Sequence, residues 1–168
     1  AGVQSGTPST TNEIIYYTFD EGSGSTANDS RGGNHNGTLA NGATWTLADG
    51  GITGTAVQLD GVNDQVNIAD SSDINTGSHN ERTIAFWFQA ADSSKPAKQV
   101  LFEEGGASRG LNVYLESGIL YFGGWNNNEN GWDETFLTTS LSDDSWHHVA
   151  MVLDAPSTTN GELIAYLD

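Results

Sequence analysis

The chain has 168 residues, enough for one domain with a real core, and no cysteine, which excludes disulfides, zinc–thiolate sites and thiol nucleophiles. Its 22 Asp and Glu stand against 5 Lys and Arg, a formal charge of −17 that repels polyanions and excludes nucleic acid as an expected partner. No apolar run approaches the roughly 18 residues of a membrane span, so no membrane insertion is expected.

The 21 glycines, with many Ser, Thr, Asn and Asp, cut the chain into short apolar runs. That is the pattern of an all-β domain. No helical stripe at i, i+3, i+4, i+7 is sustained. Residues 1–12 read as a flexible N-terminal segment, a processed terminus or a linker. Residues 13–168 read as one β-sandwich domain.

The first strand is predicted over 13–19, followed by a turn-rich loop over 20–30. Residues 34–39 and Trp45 come next. Runs 54–61 and 64–68 read as a pair of strands joined by a tight turn over 60–64. Val57 and Leu59 share one face, and Val66 and Ile68 repeat the period of two. Residues 82–90 form the strongest apolar run and are predicted to cross the middle of a sheet. Runs 99–104, 110–115 and 118–122 continue as a meander, with turns at Gly105-Gly106 and Ser117-Gly118. Residues 123–134 read as a polar loop carrying two tryptophans. A closing hairpin is predicted from Val149, Met151 and Leu153, which alternate with smaller neighbours, through a turn over 157–161 to a strand over 163–168.

From Tyr16 onward, several of these runs resemble in order the laminin-G-like jelly roll of the concanavalin A-like lectin/glucanase superfamily. The stretches that carry the likeness are 20–30, 34–39, 54–68, 82–90 and the hairpin 146–168. The resemblance implies an antiparallel β-sandwich of jelly-roll type. In the resembled family the strand over 163–167 turns through Asp-Gly into further strands that close the core. Here Asp168 is the last residue, so the sandwich is expected to be incomplete at its C-terminus. Either a second polypeptide supplies the missing strands, or the biological protein continues past this sequence.

The related glucanases set two or three carboxylates at alternate positions of one strand, so that acid and nucleophile share a face. No such spacing occurs here. Glu103 and Glu104 are adjacent and face opposite sides of a strand. Asp143 and Asp144 sit in a turn. His147 and His148 are adjacent too, and read as supports for the hairpin. No enzyme activity is expected.

Calcium is the expected cofactor, because the acidic composition suits a hard cation that takes six to eight oxygens. The candidate ligands are Asp20, Asp29, Asp60, Asn63 and Asp64, all in early loops. The alternative is that these residues form turns by bonding their own backbone. A pentraxin-type double site is not expected, since Arg109 places a cation where an acidic–amide pair would be needed.

The sugar-binding candidates are Trp125, Asn126, Asn127, Asn128, Asn130, Trp132 and Asp133. An indole stacks on a pyranose face, while amides and carboxylates bond hydroxyls. The alternative is that both rings fold back over the sheet edge as a satellite core. Trp87 and Trp146 are expected in the core. The function expected from the whole is a non-catalytic extracellular module, lectin-like or adhesive, with carbohydrate as partner. A structural spacer of a large bacterial surface or secreted protein is the alternative, and a glycosidase comes third.

Overall fold

The computed structural model describes residues 13–32, 34–127, 135–142, 144–157 and 160–168. These contain twelve strands and no helix, and every strand pairing is antiparallel. The all-β expectation is met. The backbone gathers into two compact units, one ending at Ile74 and one beginning at Asn75.

The first unit holds β1 (Thr26–Ala27), β2 (Gly37–Ala40), β3 (Thr44–Trp45), β4 (Val57–Gln58) and β5 (Gln65–Ile68). One sheet runs β1-β2-β5, and β3 pairs with β4. Gly37 makes the β2–β5 approach possible: a Cβ there would lie 2.6 Å from Val66 Cγ1.

Two expectations fail in this unit. The predicted first strand over 13–19 joins no sheet among the described residues. Its side chains alternate in burial as a strand's would, but its backbone bonds to a loop instead. Ser30 N–H donates to Tyr16 O at 2.8 Å, and Tyr16 N–H donates to Asp29 Oδ1 at 3.2 Å. Tyr17 donates its phenol to His35 O, and burial, aided by the Asp29 charge, pushes its pKa up to about 12. The runs 54–61 and 64–68 also do not pair with each other. β4 pairs with β3, and β5 pairs with β2. The segment between them closes on itself. Asp60 Oδ1 accepts from Val62 N–H at 2.8 Å, and Asp60 N–H donates to Asp64 Oδ2 at 3.0 Å. Leu59 is left exposed rather than inward beside Val57.

The second unit holds β6 (Glu81–Gln89), β7 (Gln99–Gly105), β8 (Arg109–Glu116), β9 (Ile119–Asn126), β10 (Thr135–Ser140), β11 (Trp146–Ser157) and β12 (Asn160–Leu167). They form a four-stranded sheet, β10-β9-β8-β7, and a three-stranded sheet, β12-β11-β6. Ser117 and Gly118, with φ of 52° and 76°, make the two-residue turn between β8 and β9. Positive φ at both positions matches the twist of the flanking strands, and Gly118 adopts it without a Cβ penalty.

The core lies between these two sheets. Val113 and Leu115 of β8 and Leu120 and Phe122 of β9 meet Phe88 of β6 and Val149 and Met151 of β11. Each fully buried apolar side chain of this size contributes about 1.5–3 kcal/mol. The predicted hairpin is present, with Val149, Met151 and Leu153 opposite Leu167, Ala165 and Leu163. Asp168 ties down its start: His147 Nδ1 lies 2.8 Å from Asp168 Oδ2, and His148 N–H donates to Asp168 Oδ1 at 2.9 Å. The histidines therefore support the hairpin, as expected.

Three expectations are corrected in this unit. The 82–90 strand lies at an edge of its sheet, and β11 takes the centre. Trp87 is not core: it is 49% exposed, because Phe86 and Phe88 on either side take the inward positions. Residues 123–126 belong to β9 rather than to a loop, and the strand Thr135–Ser140 that pairs with them was not predicted.

One ion pair points inward. Arg82 of β6 bonds Glu104 of β7, both side chains being nearly buried. Burial raises the Glu104 pKa above the usual carboxylate value, outweighing the attraction of Arg82.

Candidate functional site on the four-stranded sheet

The outward face of the four-stranded sheet is set by strand register. Trp125 stands beside Gly110, and Gly110 beside Gly105. Two residues along, Glu103, Asn112, Gly123 and Phe136 form the next row. Tyr114, Tyr121 and Thr138 form the row after that.

Glycine shapes this surface. A Cβ on Gly110 would lie 2.4 Å from Trp125 Cζ2 and 2.5 Å from Cη2, so the indole rests on the bare backbone of β8. A Cβ on Gly123 would lie 2.4 Å from Asn112 Oδ1 and 2.6 Å from Phe136 Cε1. The side chains of neighbouring strands thus lean over the two glycines.

Trp125 is fixed in place. Its Nε1–H donates to Gly106 O at 2.9 Å. Asn127 pins the same loop, through its N–H to Ser108 O at 2.8 Å and its Nδ2–H to Ala107 O at 2.9 Å. Arg109 anchors the far side of that loop, bonding Ser78 Oγ at 3.1 Å and Gly77 O at 3.2 Å.

Further along the face, Tyr114 and Tyr121 stack with centroids 4.6 Å apart, and Phe136 meets both edge-on at 6.2 Å. Lys98 Nζ sits 4.0 Å over the Tyr114 ring. This cluster is complete in itself, as edge-to-face and cation–π geometries require. Between it and Trp125 lies Asn112, whose Oδ1 is buried with no hydrogen-bond partner among the described residues. Glu103 is exposed beside it. A held indole and an exposed carboxylate make a site suited to stacking a ring and receiving hydroxyl or amide N–H donors.

Of the predicted sugar-binding residues, Trp125, Asn126 and Asn127 are brought together at the end of β9. Asn126 lies opposite Arg109, at the alternate position to Trp125. Asn128, Asn130, Trp132 and Asp133 lie outside the described residues. Gly110, Asn112 and Phe136 were not singled out from the sequence. The alternation of Gly110, Asn112 and Tyr114 on a strand gave the signal that would have placed the first two with Trp125.

The five predicted calcium ligands are not gathered into one cluster. Among the described residues, no group of three or more His, Asp or Glu is placed to hold a metal. Asp20 accepts from Thr55 N–H at 3.1 Å. Asp29 is buried and accepts from Tyr16 and Arg31 N–H. Asp60, Asn63 and Asp64 share one loop, where Asn63 O accepts from Asn41 Nδ2 at 3.0 Å. The carboxylates of Asp29, Asp60 and Asp64 accept N–H bonds within their own turns, the turn-forming role of Asp, whereas Asp20 bonds Thr55 far along the chain. Asp64 Oδ1 is buried without a hydrogen-bond partner among the described residues.

Two antiparallel sheets packed face to face around one core define a β-sandwich. The family model of the concanavalin A-like lectin/glucanases superfamily, laminin G type, matches residues 59–168, and the chain belongs to that family. The family takes in lectin-like and adhesion modules, together with some glycosidases. A search of curated proteins finds no match to the chain.

Proposed function

We propose that this chain is a non-catalytic extracellular module that binds a glycan at Trp125. The observation that supports it is the indole laid on Gly110 and tethered through Gly106, on the same face as the exposed Glu103 carboxylate. A pyranose ring stacks on the indole, and its hydroxyls donate to the exposed Glu103 carboxylate and to neighbouring polar groups. Calcium belongs to this reading at the Asp60–Asp64 loop, where Asp64 Oδ1 has no hydrogen-bond partner among the described residues.

A second reading rests on the same bonds. The tether to Gly106 and the Asn127 bond to Ala107 also staple the β7–β8 loop, as a spacer domain would need. A glycan array run with and without calcium separates the two. Trp125→Ala is expected to reduce glycan affinity at least tenfold, about 1.4 kcal/mol, while the protein still unfolds cooperatively. Absence of any glycan signal from the folded wild type would leave the spacer reading.

A further inference from the structure

The three-stranded sheet has an outward face as well, and the Trp125 site does not use it. From Thr83 to Gln89 on β6, Trp146 to Val152 on β11 and Ile164 to Tyr166 on β12, no outward position carries Asp, Glu, Lys or Arg. This is unusual on a chain with a net charge of −17. Carboxylates stand at the ends instead: Glu81, Asp154 and Glu162 at one, Asp168 at the other.

Two aromatic rings mark opposite margins of the face. Trp87 is 49% exposed and Tyr166 is 57% exposed. Trp87 leans on His148, with ring centroids 5.1 Å apart. Between this pair and Tyr166 the floor is made of Ala85 and Ala150, which stand in the Tyr166 row. Tyr166 is two strands across from Trp87 and two residues along, a separation of about 12 Å from ordinary strand spacing and rise. Two rings at that distance, with the His148 imidazole and the methyl groups of Ala85 and Ala150 between them, form a strip long enough for several linked sugar residues.

The size of the face bears on its occupant. Two strands by seven residues and a third by three cover about 270 Å², against roughly 800 Å² per partner in a stable protein–protein interface. The lack of charge gives no purchase to an acidic or basic segment. A neutral polysaccharide matches both limits. It needs ring faces spaced along its length and little width.

We propose that the Trp87–Tyr166 face is a second binding surface, taking an extended uncharged polysaccharide by stacking. It is independent of the Trp125 site. Where both operate, the unit holds two glycans on opposite outer faces and cross-links polymers, and that consequence alone rests on the reading of Trp125.

The test is depletion of the full chain from solution by insoluble cellulose, chitin and β-1,3-glucan, one at a time. Wild type and Trp125→Ala are expected to bind at least one of them. Trp87→Ala with Tyr166→Ala is expected to lose at least tenfold in affinity. Ala85→Glu, which adds a charged side chain to an exposed strand position and leaves the core alone, is expected to lose as much while melting as wild type does. Retained binding in folded Ala85→Glu, or no binding of wild type to any of the three, would overturn the proposal. So would a wild-type dimer by light scattering that Ala85→Glu dissociates, since a second copy would then be the occupant. Loss of polysaccharide binding in Trp125→Ala alone would overturn this surface and leave the Trp125 reading standing. Loss in the Trp87 and Tyr166 variant, with no effect of Trp125→Ala on either assay, would do the reverse.

Discussion

Gly110→Ala tests whether the indole of Trp125 is truly seated on bare backbone. The added Cβ would stand 2.4 Å from Trp125 Cζ2 and 2.4 Å from Glu104 O. Carbon atoms in good contact sit about 3.5–4.0 Å apart, so the ring must lift by more than an ångström. The Glu104 carbonyl belongs to β7, directly across the ladder, so the side chain of Trp125 cannot relieve the whole clash by moving alone. Overpacking of this kind costs about 1–3 kcal/mol. For a chain of this size each kcal/mol lowers Tm by about 2–4 °C, so the expected drop is about 2–12 °C. Gly106→Ala is the matched control. A Cβ there meets nothing within 4 Å, and the carbonyl that holds Trp125 is kept. It is expected to melt within a degree or two of wild type. The assay is thermal unfolding followed by near-ultraviolet circular dichroism, with tryptophan emission recorded at each step. If Gly110→Ala melts as Gly106→Ala does, with unchanged emission, the indole does not lie where the backbone geometry puts it, and the site built on it falls.

Two further outcomes are expected. Burial holds the Glu104 pKa above its ordinary value, so its stabilising contribution is complete below about pH 4.5 and is lost as pH rises through the raised value; urea melts of wild type and Glu104→Gln from pH 4 to 7 should therefore move in favour of the glutamine variant as pH increases, and a pH-independent difference would refute it. Calcium bound only by the folded state at the Asp60–Asp64 loop raises stability by roughly 2.7 kcal/mol at a hundredfold excess over Kd, so chelation should lower Tm, and melts that superimpose with and without chelator would remove calcium from the proposed function.

Sequence periodicity located the second unit well. The alternation in Val149, Met151 and Leu153, and the dense apolar run over 82–90, mark strands because inward side chains recur every second residue. The two-residue turn at Ser117-Gly118 was visible for an equally local reason. Partner choice was less visible. Runs 54–61 and 64–68 are adjacent in sequence and look like a hairpin, yet Asp60 and Asp64 close the intervening loop with side-chain bonds, and each strand pairs elsewhere. Likewise little in the sequence distinguishes the segment 13–19 from a strand: its burial alternates as a strand's does, yet it has no paired neighbour among the described residues and ends in the left-handed backbone of Phe19. Pairing depends on residues far along the chain, and one sequence does not display it.

The tryptophans make the same point about sites. Reading Trp87 as core follows from hydrophobicity, which counts Phe86, Trp87 and Phe88 alike. Strand geometry forbids that, since three consecutive residues cannot all face one side. Once Phe86 and Phe88 face inward, Trp87 must face out, and its exposure follows from its neighbours rather than from its own chemistry. Trp125 obeys the same rule in reverse. Leu120, Phe122 and Gly124 take the inward positions of β9, so Trp125 goes to the outer face, where Gly110 leaves room for it. Both rings thus reach the surface because smaller or equally apolar neighbours hold the interior. Exposing an indole forgoes a burial contribution of about 2–3 kcal/mol. On the readings proposed above, a sugar ring stacked on either indole would restore part of that burial.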